Sequence, residues 1–425
     1  MSTYDEPFRG DQHSALIDDV SNWLAERSLD ETPLEKVLQG CFLRLHGAGI
    51  PLSRASLSFR TLHPLFRSVS IRWTRGQELQ VTGHQHQTVT NEAWLTSPLF
   101  YMLDKQVPKL RRHITGDEAL LDFPILEELR DKGMTDYLSY MIPYGDRGVN
   151  DSIVDGLNVA DGIMGSWATD RESGFTDGHI RALQRIEQRL AVLCKIKTRD
   201  QIVRNLLQAY LGKDAGEQVL KGQIQRGDVE AIYSVVWYSD LRNSTNMADA
   251  MEPVKFLEIL NKYFECSAGA VLDHGGEVLR FVGDAVLAIF PIRDEKKTQE
   301  ACRDAMCAAK NAQARLVEMN NAREPGQPEI AFGLGLHVGE VLFGNIGVPE
   351  RLEFSVIGPV ANEVARLEDL TKQLSRTVVV SGEFAENIDF PWEHMGDHKL
   401  RGVGAMRSIY AMKLENFETI EERVA

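Results

Sequence analysis

The sequence predicts an α+β protein in which an α/β unit precedes a βαββαβ core. Three observations carry that expectation. A chain of 425 residues is longer than one ordinary hydrophobic core supports. Apolar spacing switches repeatedly between the period of a helix and that of a strand. The texture also changes at Val229, after which Ala231–Ser239 (AIYSVVWYS) forms a continuous β-prone run suited to a central buried strand.

The first half opens with a polar lead-in over residues 1–30 that includes a helix, His13 to Arg27. Residues 31–198 follow as one α/β domain, with a helix at Leu34–Gly47 and strands at Ala55–Phe59, Tyr137–Pro143 and Asp161–Thr169. A long helix closes it, from about Gly178 to Lys197, with Ile180, Leu183, Ile186, Leu190, Leu193 and Ile196 in one apolar stripe. That stripe either packs on its own domain or pairs with its twin in a parallel coiled coil. Residues 199–228 read as a polar connection of short helical character.

The second half, residues 229–414, has its helix after the first strand at Pro253–Leu272. Strands Glu277–Val282 and Ala285–Pro291 are joined by the tight pair Gly283-Asp284. A long helix runs over Lys297–Arg323 and stops before Pro325. Strands near Ile330–Val341 and Leu352–Val356 precede a helix at Val360–Gln373, a strand at Thr377–Ser381 and a hairpin around Arg401. An acidic tail, residues 415–425, is expected to be solvated.

Bulk properties exclude several classes. Hydrophobic residues make up 43% and charged residues 26%, the balance of a globular protein. No apolar run approaches the roughly 18 to 20 residues of a membrane-spanning helix, and residues 1–11 lack the apolar core of a secretory signal. A cytoplasmic protein without membrane insertion is expected. The five cysteines show no metal spacing and read as reduced thiols, mostly buried. A net charge of −15 argues against a nucleic-acid surface. It also means that any polyphosphate ligand must be held by metal ions and a few placed cations.

Two aspartates carry the chemistry. Asp240 ends the first strand (YSDLRNST) and Asp284 sits in the hairpin (RFVGDAVLAIF). Alone, each is ordinary turn or cap chemistry. On neighbouring strands, both reach one sheet edge, where two carboxylates can hold two divalent cations roughly 3.5 to 4 Å apart for phosphoryl chemistry. Oxygen ligands on short side chains suit Mg²⁺. The turn over Leu241, Arg242, Asn243, Ser244 and Thr245 leads to a helix, and its N–H groups favour an anionic phosphate. Further on, Asn362 and Arg366 in SVIGPVANEVARLE share one helix face at a spacing of four. Gly333, Gly335 and Gly339 miss the dinucleotide-loop spacing, and that reading is rejected.

These segments resemble the catalytic domain of class III adenylate and guanylate cyclases. The resemblance rests on Asp240-Leu241, Gly283-Asp284, the Asn362-x-x-x-Arg366 helix and the Arg401-Gly402 turn. It implies a ferredoxin-like domain in which Asp240 and Asp284, assisted by the Leu241 carbonyl, bind two Mg²⁺ (or Mn²⁺). It further implies that Asn362 positions the ribose, Arg366 stabilises the transition state and Arg401 contacts the polyphosphate. Because the family draws its metal aspartates and its Asn/Arg helix from different subunits, a homodimer with two shared sites is implied. Arg280 and Ser355 stand where the family reads the base, with Ser355 similar to a Thr-type subgroup. Arg donates and Ser donates or accepts, which adenine's acceptor N1 and amino group satisfy, so ATP is favoured over GTP. Arg280 departs from the Lys usual in adenylate cyclases, and Pro359 and Ala361 depart from the common Asp and Val.

Residues 31–198 loosely resemble a GAF-type sensory domain, most of all over Gly162–Leu193, which implies regulation by an unknown ligand or partner. Rival readings are a guanylate cyclase, a catalytically silent cyclase-fold scaffold, and a diguanylate cyclase of the GGDEF type. The last lacks the second Gly and the Glu of its signature at RFVGDAV.

Overall fold

The computed structural model describes residues 7–86, 92–145, 153–154, 157–158, 161–400 and 406–412. They divide into two compact units between Leu206 and Leu207.

The first unit contains, in order, α1 (Pro7–Arg27), α2 (Leu34–Gly47), β1 (Arg54–Arg60), β2 (Phe66–Thr74), β3 (Gln80–Gln85), α3 (Glu92–Leu95) and α4 (Pro98–Asp104). It continues with β4 (Lys109–His113), α5 (Pro124–Asp131), β5 (Asp136–Pro143), the short pair β6 (Ile153–Val154) and β7 (Leu157–Asn158), β8 (Gly162–Thr169) and α6 (Asp177–Leu211), whose residues from Leu207 onward fall in the second unit. Six strands form an antiparallel sheet in the order β3-β2-β1-β8-β5-β4. Alternation divides its faces. Leu57, Ile71, Trp73 and Trp167 pack with Leu24 of α1, Leu38 of α2 and Leu183 of α6, while Tyr137 and Met141 join Met102 and Leu126 of α4 and α5 on the other side.

Three expectations change here. The helix placed in a lead-in contributes Ile17, Val20 and Leu24 to this core. Leu183, Ile186, Leu190 and Leu193 are 0% exposed within it, so at those positions the stripe packs on its own unit and cannot also serve as a coiled-coil seam. Finally, α6 continues to Leu211 instead of giving way near Lys197. Residues 198–211 contain neither Gly nor Pro and are rich in helix formers. The helix ends where Gly212 takes a positive φ of 88°.

The second unit begins with α7 (Lys213–Leu220), β9 (Val229–Leu241), α8 (Ser244–Ala250), α9 (Pro253–Asp273), β10 (Glu277–Val282), β11 (Ala285–Pro291) and α10 (Thr298–Asn321). Then come β12 (Phe332–Val348), β13 (Arg351–Ile357), α11 (Pro359–Gln373), β14 (Val378–Ser381), α12 (Gly382–Ala385), β15 (Glu393–Lys399) and β16 (Met406–Ala411). The expected βαββαβ order is observed as β9-α9-β10-β11-α10-β12, and its strands lie side by side as β10-β11-β9-β12. Both faces of β9 are covered, which is why its sequence is continuously apolar. Val235, Trp237, Val286 and Ala288 face Val271 of α9 and Met306 of α10. On the opposite face, Val236, Leu287, Ile289 and Val341 meet Val364 of α11.

Candidate active site

β9 and β11 pair so that Asp240 lies opposite Ala285, and the Leu241 N–H donates to the Asp284 carbonyl at 3.4 Å. The loop holding Asp284 is two residues long, because Val282 pairs with Ala285. Gly283 takes the positive φ of 64° that such a turn demands at its first position. The two carboxyl groups therefore meet at one sheet edge, within hydrogen-bonding reach of each other. Asp240 ionises less readily than an ordinary aspartate, chiefly through burial and also through the charge of Asp284, while Lys372 opposes the shift. Lys372 Nζ donates to Asp240 Oδ2 at 3.0 Å.

Lys372 belongs to α11, which lies directly along β12. Gly335 permits the approach: a Cβ there would stand 2.6 Å from the Val364 carbonyl oxygen, and one on Gly339 would stand 2.7 Å from Val360. Those glycines, rejected as a nucleotide loop, thus serve helix-on-strand packing. Polar contacts pin α11 at both ends. Arg407 of β16 ion-pairs with Glu363 at 3.1 Å, and Arg242 donates to Thr371 Oγ1 at 2.6 Å. Glu368, 1% exposed, lies 3.7 Å from the Arg242 guanidinium. Burial, reinforced by Asp240, pushes its carboxyl up to about 7 against the pull of Lys372 and Arg242.

Asn362 and Arg366 share the outer face of α11. Both are exposed, whereas Val364, Leu367, Glu368 and Thr371 are buried. Arg366 pairs with Asp369 at 3.0 Å, one turn along its own helix. The expected pair thus faces away from the sheet that carries Asp240 and Asp284.

Arg280 forms an ion pair with Glu353 of β13. Ser355, two residues further along the same strand face, is buried. Arg280 thus reaches the strand that carries Ser355, and the carboxylate it meets there is Glu353. The Arg242 N–H donates to the Ala331 carbonyl at 2.8 Å and its Nη2 donates to Thr371 Oγ1 of α11, so these donors are engaged within the fold. Asn243 turns the chain with φ 57° into α8, placing Ser244 and Thr245 in that helix's first turn. Arg401 lies outside the described residues, as does the tail from residue 413 onward.

Lys372, Glu368 and Glu353 are additions to the site. The i,i+4 pair Glu368–Lys372 was a visible helix signal, but nothing local tied it to Asp240. Among the described residues, no group of three or more His, Cys, Asp and Glu side chains forms a complete metal cage. The Asp240–Asp284 pair nevertheless fits hard divalent cations: two adjoining carboxylates raise each other's electrostatic cost, and a cation that also takes substrate oxygens relieves it.

Residues 230–413 match the family model for the adenylate and guanylate cyclase catalytic domain. Over this stretch the chain is similar to the catalytic domain of class III nucleotidyl cyclases. Among curated relatives, the adenylate cyclase of Anabaena cylindrica is 30% identical over 200 residues, 45% of this chain and 38% of its own length. Adenylate cyclase 1 of Rhizobium meliloti (strain 1021) is 28% identical over 178 residues, 41% of this chain and 26% of its own. The chain thus spans well under half of either relative. A solved bacterial light-regulated adenylyl cyclase overlays 57% of this chain and 70% of its own, at 21% identity and a TM-score of 0.44.

Proposed function

We propose that the protein is an adenylate cyclase that converts ATP to 3′,5′-cyclic AMP and pyrophosphate at sites shared between two copies of the chain. The observation that carries this reading is the meeting of Asp240 and Asp284 at one edge of the β9–β11 pair. Asp240 and Asp284, with the Leu241 carbonyl, would hold two Mg²⁺ or Mn²⁺ ions. Bound there, the ions would supply Lewis-acid charge to the ribose 3′-hydroxyl and to the departing pyrophosphate.

The chain's own groups have separate tasks. Arg366 meets the charge that builds on the α-phosphate as the 3′-oxygen bonds to phosphorus and the bond to the β-phosphate breaks. Asn362, on the same helix face, fixes the ribose. Asn243, Ser244 and Thr245, at the turn into α8, are assigned to the phosphate oxygens, and Arg401 to the polyphosphate. Arg280 and Ser355 read the adenine. The first unit acts as a regulatory domain, a reading supported by its six-stranded antiparallel sheet closed by α6, in keeping with a GAF-like module.

A second reading is favoured by one observation. Glu353 pairs with Arg280, and a carboxylate can accept from guanine's N1–H and amino group. GTP would then be the substrate. Incubating the purified chain with ATP or GTP and Mg²⁺ or Mn²⁺, then resolving the products, decides among the readings. Cyclic AMP as main product supports the first and cyclic GMP the second. Neither product from a folded chain points to a silent scaffold.

A further inference from the structure

The first unit carries a cavity of about 740 Å³, open to solvent on one side, between its sheet and helices α4 and α5. That is the size of a small-molecule site, on the order of 300–1,000 Å³. Its floor is unusual for a covered sheet face. Where β1 and β2 turn Leu57, Ile71 and Trp73 to the other side as core, they present serines and arginines here.

The register arranges these groups in rows. Ser56 lies opposite Arg72 on one side and Ser166 on the other. Ser58 lies opposite Ser70 and is hydrogen-bonded to it at 2.7 Å. His84 Nε2 reaches the same Ser70 hydroxyl at 2.8 Å. Arg54 sits diagonally from Arg72 on adjacent strands, and both line the cavity. Burial, and next the like charge of Arg72, pull the Arg54 pKa down, a shift that Tyr137 and Glu128 only partly offset. Glu128 of α5, which also lines the cavity, is the carboxylate that acts on Arg54.

The roof is different in kind. Trp94 and Phe100, edge to face at 5.9 Å, line it with Leu99, Leu103 and Ile125. Two guanidiniums on adjacent strands, close enough for the charge of one to act on the other, lower their mutual repulsion by taking an anion. An aromatic and aliphatic lid gains by covering an apolar body.

We propose that this cavity binds a small amphipathic anion, with its carboxylate or phosphate head on Arg54, Arg72 and the serine floor and its apolar body beneath Trp94 and Phe100. Every residue used lies in the first unit, so the site stands or falls independently of the cyclase reading.

The test uses the full chain and two fluorescent probes of nearly equal shape. 8-Anilinonaphthalene-1-sulfonate carries the charge, and N-phenyl-1-naphthylamine lacks it. Arg54→Gln and Arg72→Gln should each weaken the anionic probe by about tenfold and change the neutral probe by less than about twofold. Arg72 is exposed on β2, so its variant keeps the test valid should Arg54→Gln fail to fold. Displacement of the anionic probe by decanoate, but not by decanol, supports a carboxylate head; displacement by phenyl phosphate supports a phosphate head. Equal displacement by decanoate and decanol, or unchanged affinity in the Arg54→Gln/Arg72→Gln double variant, overturns the proposal.

Discussion

In the proposed reading Asp240 has two claimants, a cation and the Lys372 ammonium 3.0 Å away, and a carboxylate cannot serve both fully. Lys372→Met should therefore lower the Mn²⁺ concentration that half-saturates turnover, by about threefold to tenfold. A metal titration in which the half-saturation point rises or stays put would show that Lys372 does not compete there. Asp240→Ala or Asp284→Ala should cut turnover by about a thousandfold or more while the far-ultraviolet spectrum stays that of the parent. Full turnover in either variant would remove the metal-site reading. These two aspartates were legible in the sequence because a strand end and a Gly-Asp hairpin are local features that a single register brings together. Lys372 and Glu353 were not, because each reaches its partner through tertiary packing across 132 residues or between strands whose pairing the sequence does not display. The side-chain bond of Arg242 to α11 was hidden for a related cause: its position in a turn said nothing of that helix.

At the scale of elements, α11 is placed by absent side chains as much as by present ones. Gly335→Ala sets a methyl group 2.6 Å from a backbone oxygen of Val364, which cannot rotate aside, so the helix must lift from β12. A loss of about 1–3 kcal/mol in urea unfolding together with reduced turnover is expected; a variant with native stability would mean that the helix tolerates the shift. A second element-scale effect concerns β10 and α7. Burial, then Asp214, pushes the Glu277 carboxyl from 4.5 up to about 8. A raised acid pKa means that the folded state favours the protonated form. The stability it contributes is thus complete below 4.5 and is lost as pH climbs through about 8. Glu277→Gln should consequently gain little at pH 4.5 and a few degrees in Tm at about pH 8.5. A Tm difference independent of pH would contradict the assignment. The βαββαβ elements could be read from sequence because their strands are apolar runs between clear turns. β2 and β3 could not, since their polar face, Ser68, Ser70 and Arg72 in β2, looks solvated until the cavity beneath α4 is seen.

At the scale of the whole molecule, the decisive feature is that Asn362 and Arg366 face outward from α11 while the carboxylates sit on the sheet that α11 covers. An arginine that stabilises phosphoryl charge must touch it, yet Arg366 is half-exposed and engaged with Asp369. The arrangement makes sense when a second copy brings its own Asp240–Asp284 edge to that face. In such a dimer each site takes its aspartates from one chain and its arginine from the other. Asp284→Ala and Arg366→Ala chains should each be nearly inactive alone. Mixed in equal amounts and allowed to exchange, half of the dimers pair one of each, and one of their two sites is then whole. Activity should return to about a quarter of the parent level. Mass spectrometry of differently tagged chains checks that exchange has occurred. Mixed dimers without recovered activity would place Arg366 and the aspartates in the same chain's site, or the arginine outside the chemistry altogether.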